Sequence, residues 1–384
     1  MTSRRDFSKL LLGAGAGALL PFSTHASEPF ESLDAIGRKK GLRFGNAMGI
    51  SASGVRAGSR FHDAGYQALN ARECGVIVAE NETKWQALRP RPDTFRFAQA
   101  DEMFAWATAN KILVRGHTLI WQPPKWMPKW VNEYDFGAQP KKEAERLLTE
   151  HVSTVCKHFG KTIVSYDVVN ETIDPKTGEM RVNVFTERLG AMDQVDLMFR
   201  LAKEHAPHAE LVYNDYMSWG AGYTKHRAGV LKLLAEFRKR GTPVTALGLQ
   251  SHIGSTEDGV EPPTGDSHVR EWRRFLDEVT AMGYDLLITE FDVHDRHFPS
   301  DIAVRDAAVA SLAKTYLDLT LSYPRLHTVM TWGLADNASW LQDMDRQPRT
   351  DGMPKRPCPY DAQLKAKPMR TAMADAFRAM PNRK

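Results

Sequence analysis

The sequence predicts a single α/β domain of the (β/α)8, or TIM, barrel type. Three observations carry that prediction. Eight apolar runs of strand length alternate with segments of helical spacing, the pattern of a parallel sheet whose crossovers are helices. No Pro/Gly/Ser-rich linker separates two halves. Polar and titratable residues gather at the carboxyl ends of the runs, where such a barrel carries its chemistry.

The first 26 residues stand apart. Ser3-Arg4-Arg5-Asp6-Phe7-Ser8-Lys9 precedes an apolar Gly/Ala-rich run from Leu10 to Leu20 and then Thr24-His25-Ala26. That run is too short for a stable bilayer anchor. Paired arginines before a weakly hydrophobic stretch read as a twin-arginine export signal cleaved near Ala26, the alternative being an ordinary secretory signal that happens to contain Arg-Arg. The mature chain, 27–384, is then expected in the periplasm or outside the cell, without a membrane anchor.

Taking the chain in order, Leu42-Arg43-Phe44 running into Gly45-Asn46 is the first strand. Cys74 to Ala79 is a β-branched run that ends in Glu80-Asn81-Glu82, with Lys84-Trp85 just beyond. After a helix at Asp101–Asn110, Ile112 to His117 forms the third strand, and Trp121 lies four residues on. Lys141 to His158 places Leu147, Leu148, His151, Val152 and Val155 on one face, and Gly160 can close that helix. Val164 to Glu171 is the fourth strand, stopped by the turn-rich Asp174-Pro175-Lys176-Thr177-Gly178.

A helix at Met192–His205 leads to strand five, Glu210 to Tyr216, and one at Arg227–Arg240 leads to strand six, Val244 to Gln250, with Ser251-His252 at its end. Ser267–Met282 carries Trp272, Phe275, Leu276 and Val279 as its inner stripe, and strand seven is Leu286 to Glu290. Ser300-Asp301 caps a helix that runs to Ser322, His327 to Trp332 is strand eight, and Pro368–Met380 is the closing helix.

Composition excludes some functions. With 42% hydrophobic and 26% charged residues the chain is an ordinary globular protein. Its net charge of +4 includes three basic residues and one acidic residue of the leader, so the mature chain is too weakly basic to argue for nucleic acid. Cys74, Cys156 and Cys358 have neither disulfide-framework nor metal-ligand spacing. No His/Asp cluster has ligand spacing either, so no metal or cofactor is expected. A monomer is expected.

Two strands end alike, in Asn170-Glu171 and in Thr289-Glu290-Phe291-Asp292. A lone strand-end glutamate is most often solvated or paired with a base. Two of them at one barrel mouth suit hydrolysis of a glycosidic bond with retention, in which one carboxyl protonates the leaving oxygen and the other attacks the anomeric carbon. His252 and Asp292 are placed to form a hydrogen-bonded chain that keeps Glu290 ionised. An apolar, aromatic setting would keep Glu171 protonated. Trp85, Trp121, Trp126, Trp130, Trp332 and Trp340, in loops or at strand ends, offer faces for sugar rings, with core packing the alternative for each. For Trp332 and Trp340 the site is favoured; for Trp126 and Trp130 both readings stand.

These blocks resemble glycoside hydrolase family 10, the retaining endo-β-1,4-xylanases. The resemblance covers nearly all of 30–380 and rests on Glu80-Asn81-Glu82-Thr83-Lys84-Trp85, Arg115-Gly116-His117-Thr118-Leu119-Ile120-Trp121, Asp167-Val168-Val169-Asn170-Glu171, Tyr213-Asn214-Asp215-Tyr216, Gly248-Leu249-Gln250-Ser251-His252 and Ile288-Thr289-Glu290-Phe291-Asp292. It implies Glu171 as acid/base, Glu290 as nucleophile and Asn170 on the sugar 2-hydroxyl. It implies Glu80, Asn81, Lys84, His117, Gln250, Trp332 and Trp340 in the glycone subsites, with Trp121 and Asn214 counted among the binding residues. The two tryptophans would crowd a hexose hydroxymethyl group, so xylan or xylo-oligosaccharide is the implied substrate. Gln122-Pro123-Pro124 and Met217 depart from the family's usual residues, so the site floor and subsites are expected to differ there. No separate carbohydrate-binding module is recognised, which points to soluble or partly degraded substrate. The alternatives are a β-1,4-glucanase and a carbohydrate-binding protein on an inactive barrel.

Overall fold

The computed structural model describes residues 31–50, 60–254, 266–342 and 348–383. The proposed export signal lies outside the described residues. Ser32–Lys384 forms one compact unit. Its strands are β1 (Arg43–Met48), β2 (Val76–Ala79), β3 (Leu113–Trp121), β4 (Ile163–Asn170), β5 (Glu210–Asp215), β6 (Ala246–Leu249), β7 (His252–Gly254), β8 (Asp285–His294) and β9 (Leu326–Thr331).

Neighbouring strands pair in parallel from β1 to β6, β6 pairs with β8, and β8 with β9. Pairing of β9 with β1, Asn46 opposite Thr331, closes the ring. The barrel therefore has eight strands, as the alternation predicts. The additional β7 runs beside the upper part of β8, His252 opposite Asp292. It is separate from β6 because Ser251, at φ 62°, turns the backbone through the left-handed region.

Crossover helices match the expected segments within a few residues. Pro140–Phe159 buries Leu147, Leu148, Val152 and Val155 and ends at Gly160; burying each of those side chains contributes about 1.5–3 kcal/mol. Thr224–Arg240 stops at Gly241, whose φ of 64° suits glycine. Asp301 caps Ile302–Thr320 by accepting from the Val304 amide at 2.9 Å. Like the short helices Leu33–Arg38, Trp85–Leu88, Lys129–Asn132 and Thr186–Leu189, the longer helix Ala64–Glu73 has no counterpart in the sequence reading. Its buried face is Tyr66, Leu69, Asn70 and Glu73, so polar residues interrupt the apolar period by which helices are recognised.

The main apolar core lies between the strands and the surrounding helices. Two smaller clusters, Ala47/Val76/Val78/Met330/Trp332 and Val212/Ala246/Leu287, alternate with it along the strands and fill the barrel interior. The interior also holds a polar series. Arg115 donates to Ser165 at 3.2 Å and to Asp167 at 2.6 Å, and Ser165 donates to Glu210 at 2.9 Å. The three cysteines are buried and free.

Candidate active site

Glu171 leaves β4 at φ 58°, a conformation that costs a residue with a Cβ about 1–2 kcal/mol. The surroundings hold it there. Its amide donates to the Asn214 carbonyl at 2.9 Å, and its own carbonyl accepts from Arg181 Nε at 3.1 Å. Arg181 also donates to the Tyr216 hydroxyl at 2.7 Å. At the other end of the side chain, the carboxyl accepts from Gln250 Nε2 at 3.2 Å, with the Trp121 indole beside it. Burial raises its pKa above 4.5, and the charges of Asp215 and Glu290 add to that; Trp121 and Gln250 only partly offset it.

Glu290 is 5% exposed within β8. One oxygen accepts from Asn214 Nδ2 at 2.8 Å, and the other lies 3.2 Å from His252 Nε2. Asn214 is held by Thr289, whose hydroxyl donates to Asn214 Oδ1 at 2.7 Å. Gly248 gives that amide its room, since a Cβ there would stand 2.3 Å from Asn214 Oδ1. Behind His252, Nδ1 lies 2.9 Å from Asp292, which also accepts from Trp340 Nε1 at 2.8 Å.

Burial draws the His252 pKa down, but Asp292 and Glu290 outweigh it and raise it to about 10. The ring is therefore a cation that donates to both carboxylates. Burial likewise pushes Glu290 up, and the His252 hydrogen bond with the charges of His117 and His252 more than reverses this, so its pKa lies below 4.5. The two glutamates thus have pKa values displaced in opposite directions, which is how two carboxyls take different roles at one pH.

A cluster of amides links them. Gln250 Nε2 lies 3.2 Å and Asn214 Nδ2 2.9 Å from the Asn170 amide. Lys84 stands against the same group. Its ammonium donates to Asn81 at 3.1 Å, lies 4.7 Å over the Trp121 ring and 6.0 Å over Trp332. Burial lowers its pKa, and the charges of Glu80, Glu290 and Glu171 act against that. His117 packs edge-on to Trp332 at 5.2 Å and bonds Asp167 at 3.0 Å through Nδ1. All fourteen expected positions therefore belong to one connected group at the carboxyl ends of the strands.

Of the other tryptophans, Trp85 stacks on buried His151 at 4.0 Å and the Trp130 N–H donates to the Arg89 carbonyl, so both are packing residues. Trp126 stacks on Trp121 at 4.6 Å with 10° between the ring planes. Gln122 is buried, donating to Gln194 at 2.7 Å and accepting from Asn183. Met217 is buried in the main core.

Sequence reasoning missed four supports: Arg115 and Asp167 under His117, Arg181 on the Glu171 carbonyl, and Asp215. Asp215 is fully buried against His226 at 3.0 Å, and its charge acts on Glu171. A signal for the first pair was present, because Arg115/His117 and Ser165/Asp167 are polar at every second position of otherwise apolar strands.

Residues 32–376 match the family model for glycosyl hydrolase family 10. The exoglucanase XynX of Acetivibrio thermocellus is 29% identical over 340 residues, which are 84% of this chain but 28% of that protein. This chain thus spans under a third of that relative's length. Endo-1,4-beta-xylanase 5 of Pyricularia oryzae is 30% identical over 364 residues, covering 93% of this chain and 81% of its own. Among solved structures, native xylanase 10B from Thermotoga maritima superposes with a TM-score of 0.76 at 26% identity, over 90% of this chain and 98% of that one. With a closed barrel of matching architecture and a family match across nearly all of it, this chain belongs to glycosyl hydrolase family 10.

Proposed function

We propose that the protein is an endo-1,4-β-xylanase that cleaves internal β-1,4 bonds of xylan or xylo-oligosaccharides with retention, Glu171 serving as acid/base and Glu290 as nucleophile. The observation that carries this reading is the opposed perturbation of two glutamates, Glu290 buried and Glu171 half-buried, joined by one amide cluster. Protonated Glu171 gives its proton to the glycosidic oxygen while ionised Glu290 attacks the anomeric carbon. Esterification then removes the Glu290 charge that helps raise the Glu171 pKa. Glu171 becomes the stronger acid, is left ionised, and takes a proton from the water that cleaves the ester.

Asn170 and Asn214 hold sugar hydroxyls beside Glu290 in this reading, and Lys84, Asn81, Glu80, His117 and Gln250 hold those of the glycone. Trp332 and Trp340 act as walls against a hexose hydroxymethyl group. The xylanase names of the Pyricularia oryzae and Thermotoga maritima relatives support xylan as substrate. The exoglucanase name of XynX makes a β-1,4-glucan the second reading. We also infer, from the Arg4-Arg5 leader, that the folded chain is exported and acts outside the cytoplasm.

Time-resolved proton NMR on xylohexaose and cellohexaose tests the reading. Internal cleavage of xylohexaose, with the β-anomer released first, is expected. Preferential cleavage of cellohexaose moves the substrate to glucans, and first release of the α-anomer overturns retention.

A further inference from the structure

The loop after β9 carries Trp340, and the way that loop is fastened has no part in the mechanism so far. Trp340–Gln342 is one 3-10 turn, closed by the Gln342 amide on the Ser339 carbonyl at 3.2 Å. Trp340 is only half-buried. Its ring meets His252 edge-on at 5.1 Å, and its N–H donates to Asp292 Oδ2 at 2.8 Å, the same oxygen that lies 2.9 Å from His252 Nδ1. The indole therefore belongs to the charged group behind Glu290 as well as to the proposed wall.

Two residues on, Gln342 ties this turn to a segment distant from it in the fold of the loop. Its Nε2 donates to the Lys355 carbonyl at 2.7 Å, and its Oε1 accepts from the Lys355 amide at 3.1 Å. One side-chain amide thus pairs with both backbone groups of one residue, as the opposite residue of an antiparallel strand would. The same Nε2 donates to the Asp336 carbonyl at 2.8 Å, which ties the turn to the start of its own loop. Lys355 returns the contact. It is 4% exposed, and its ammonium donates to the Leu341 carbonyl at 2.6 Å.

The segment that Gln342 grips is itself fixed to β8. The Arg356 amide donates to Asp295, the residue after β8, at 3.0 Å, and the Val293 amide within β8 donates to the Pro357 carbonyl at 3.3 Å. Glu290 and Asp292 lie on that strand. Gln342 therefore sets Trp340 in register with the strand that bears the proposed nucleophile.

We propose that Gln342 is a positioning residue for sugar selectivity. By holding the Trp340 turn to β8 through Lys355, it fixes the separation of the indole wall from Glu290, and so the room left for a substituent on the bound sugar ring. The inference rests on Trp340 being the wall against a hexose hydroxymethyl group, and it assigns Gln342 no contact with substrate.

In the full chain, kcat/KM is measured on xylo- and cello-oligosaccharides for wild type, Gln342→Met, Gln342→Glu, Trp340→Ala and the double variant of Gln342→Met with Trp340→Ala. Gln342→Met keeps the length of the side chain and loses its three hydrogen bonds; Gln342→Glu sets an oxygen against the two carbonyls. Each is expected to raise the cello-to-xylo ratio about threefold to tenfold. The double variant should show the ratio of Trp340→Ala alone, because the two residues act through one ring. A merely structural role lowers both rates alike, and the ratio does not depend on the folded fraction. An unchanged ratio in both Gln342 variants, or a double variant whose ratio is the product of the single effects, overturns the inference while Trp340→Ala keeps its raised ratio. If Trp340→Ala itself leaves the ratio at the wild-type value, the wall reading falls and the inference with it.

Discussion

His252 Nε2 lies 3.2 Å from Glu290 while its Nδ1 lies 2.9 Å from Asp292, so one imidazolium is held between two carboxylates. With a pKa raised to about 10 it keeps its charge across the neutral range. Its removal leaves Glu290 buried without its main donor, and burial alone raises a carboxyl pKa. His252→Ala is therefore expected to move the acid limb of the kcat/KM profile to higher pH by about one unit or more. An unmoved limb would show that His252 does not set the Glu290 charge.

The profile of the unaltered enzyme follows from the same shifts. Glu290, held below 4.5, must be ionised, so activity falls as pH drops through its lowered pKa. Glu171, raised above 4.5, must be protonated, so activity falls as pH rises through its raised pKa. A bell results. Glu171→Gln should abolish the alkaline limb and lower kcat/KM on unactivated xylo-oligosaccharides by about 10²–10⁴-fold; retention of that limb would assign it to another group.

Trp340 tests the proposed xylose preference. Trp340→Ala opens the wall opposite His252 but also removes the N–H bond to Asp292. That second effect acts on all substrates alike and cancels in a ratio. The ratio of cello- to xylo-oligosaccharide kcat/KM should rise about tenfold or more. A constant ratio would place hexose exclusion elsewhere.

Stability is tested far from the site. Glu73, fully buried, accepts from the Leu33 amide at 2.7 Å and from Arg370 Nε at 3.0 Å, and it is bonded to Tyr360. It joins the Leu33–Arg38, Ala64–Glu73 and Pro368–Ala379 helices. Glu73→Ala leaves a buried donor set unpaired and should cost about 3–5 kcal/mol in denaturant unfolding, with kcat unchanged in the folded fraction. A loss under about 1 kcal/mol would contradict the clamp.

The parts of the site that follow one strand were legible in the sequence. Glu290 and Asp292 lie two residues apart on β8, so the period of two alone sets them on one face. The supports that join different strands were not. Asp167 reaches His117 because the register of β3 against β4 sets those two residues opposite each other, and Asp215 meets His226 through packing of the Thr224–Arg240 helix on β5. Local spacing contains neither relation. The Ala64–Glu73 helix was hidden by the same Asn70 and Glu73 that make its polar contacts, and β7 by a left-handed turn at Ser251, which an L-residue adopts only where its surroundings impose it.

The proposed double displacement depends most on Glu290 being the nucleophile. Incubation with 2,4-dinitrophenyl 2-deoxy-2-fluoro-β-xylobioside, followed by intact mass and peptide mapping, tests this directly, because the fluorine slows hydrolysis of any covalent intermediate. A single adduct on the peptide and side chain of Glu290 is predicted. An adduct on Glu171, or turnover on xylan by a protein that forms no adduct, would contradict it.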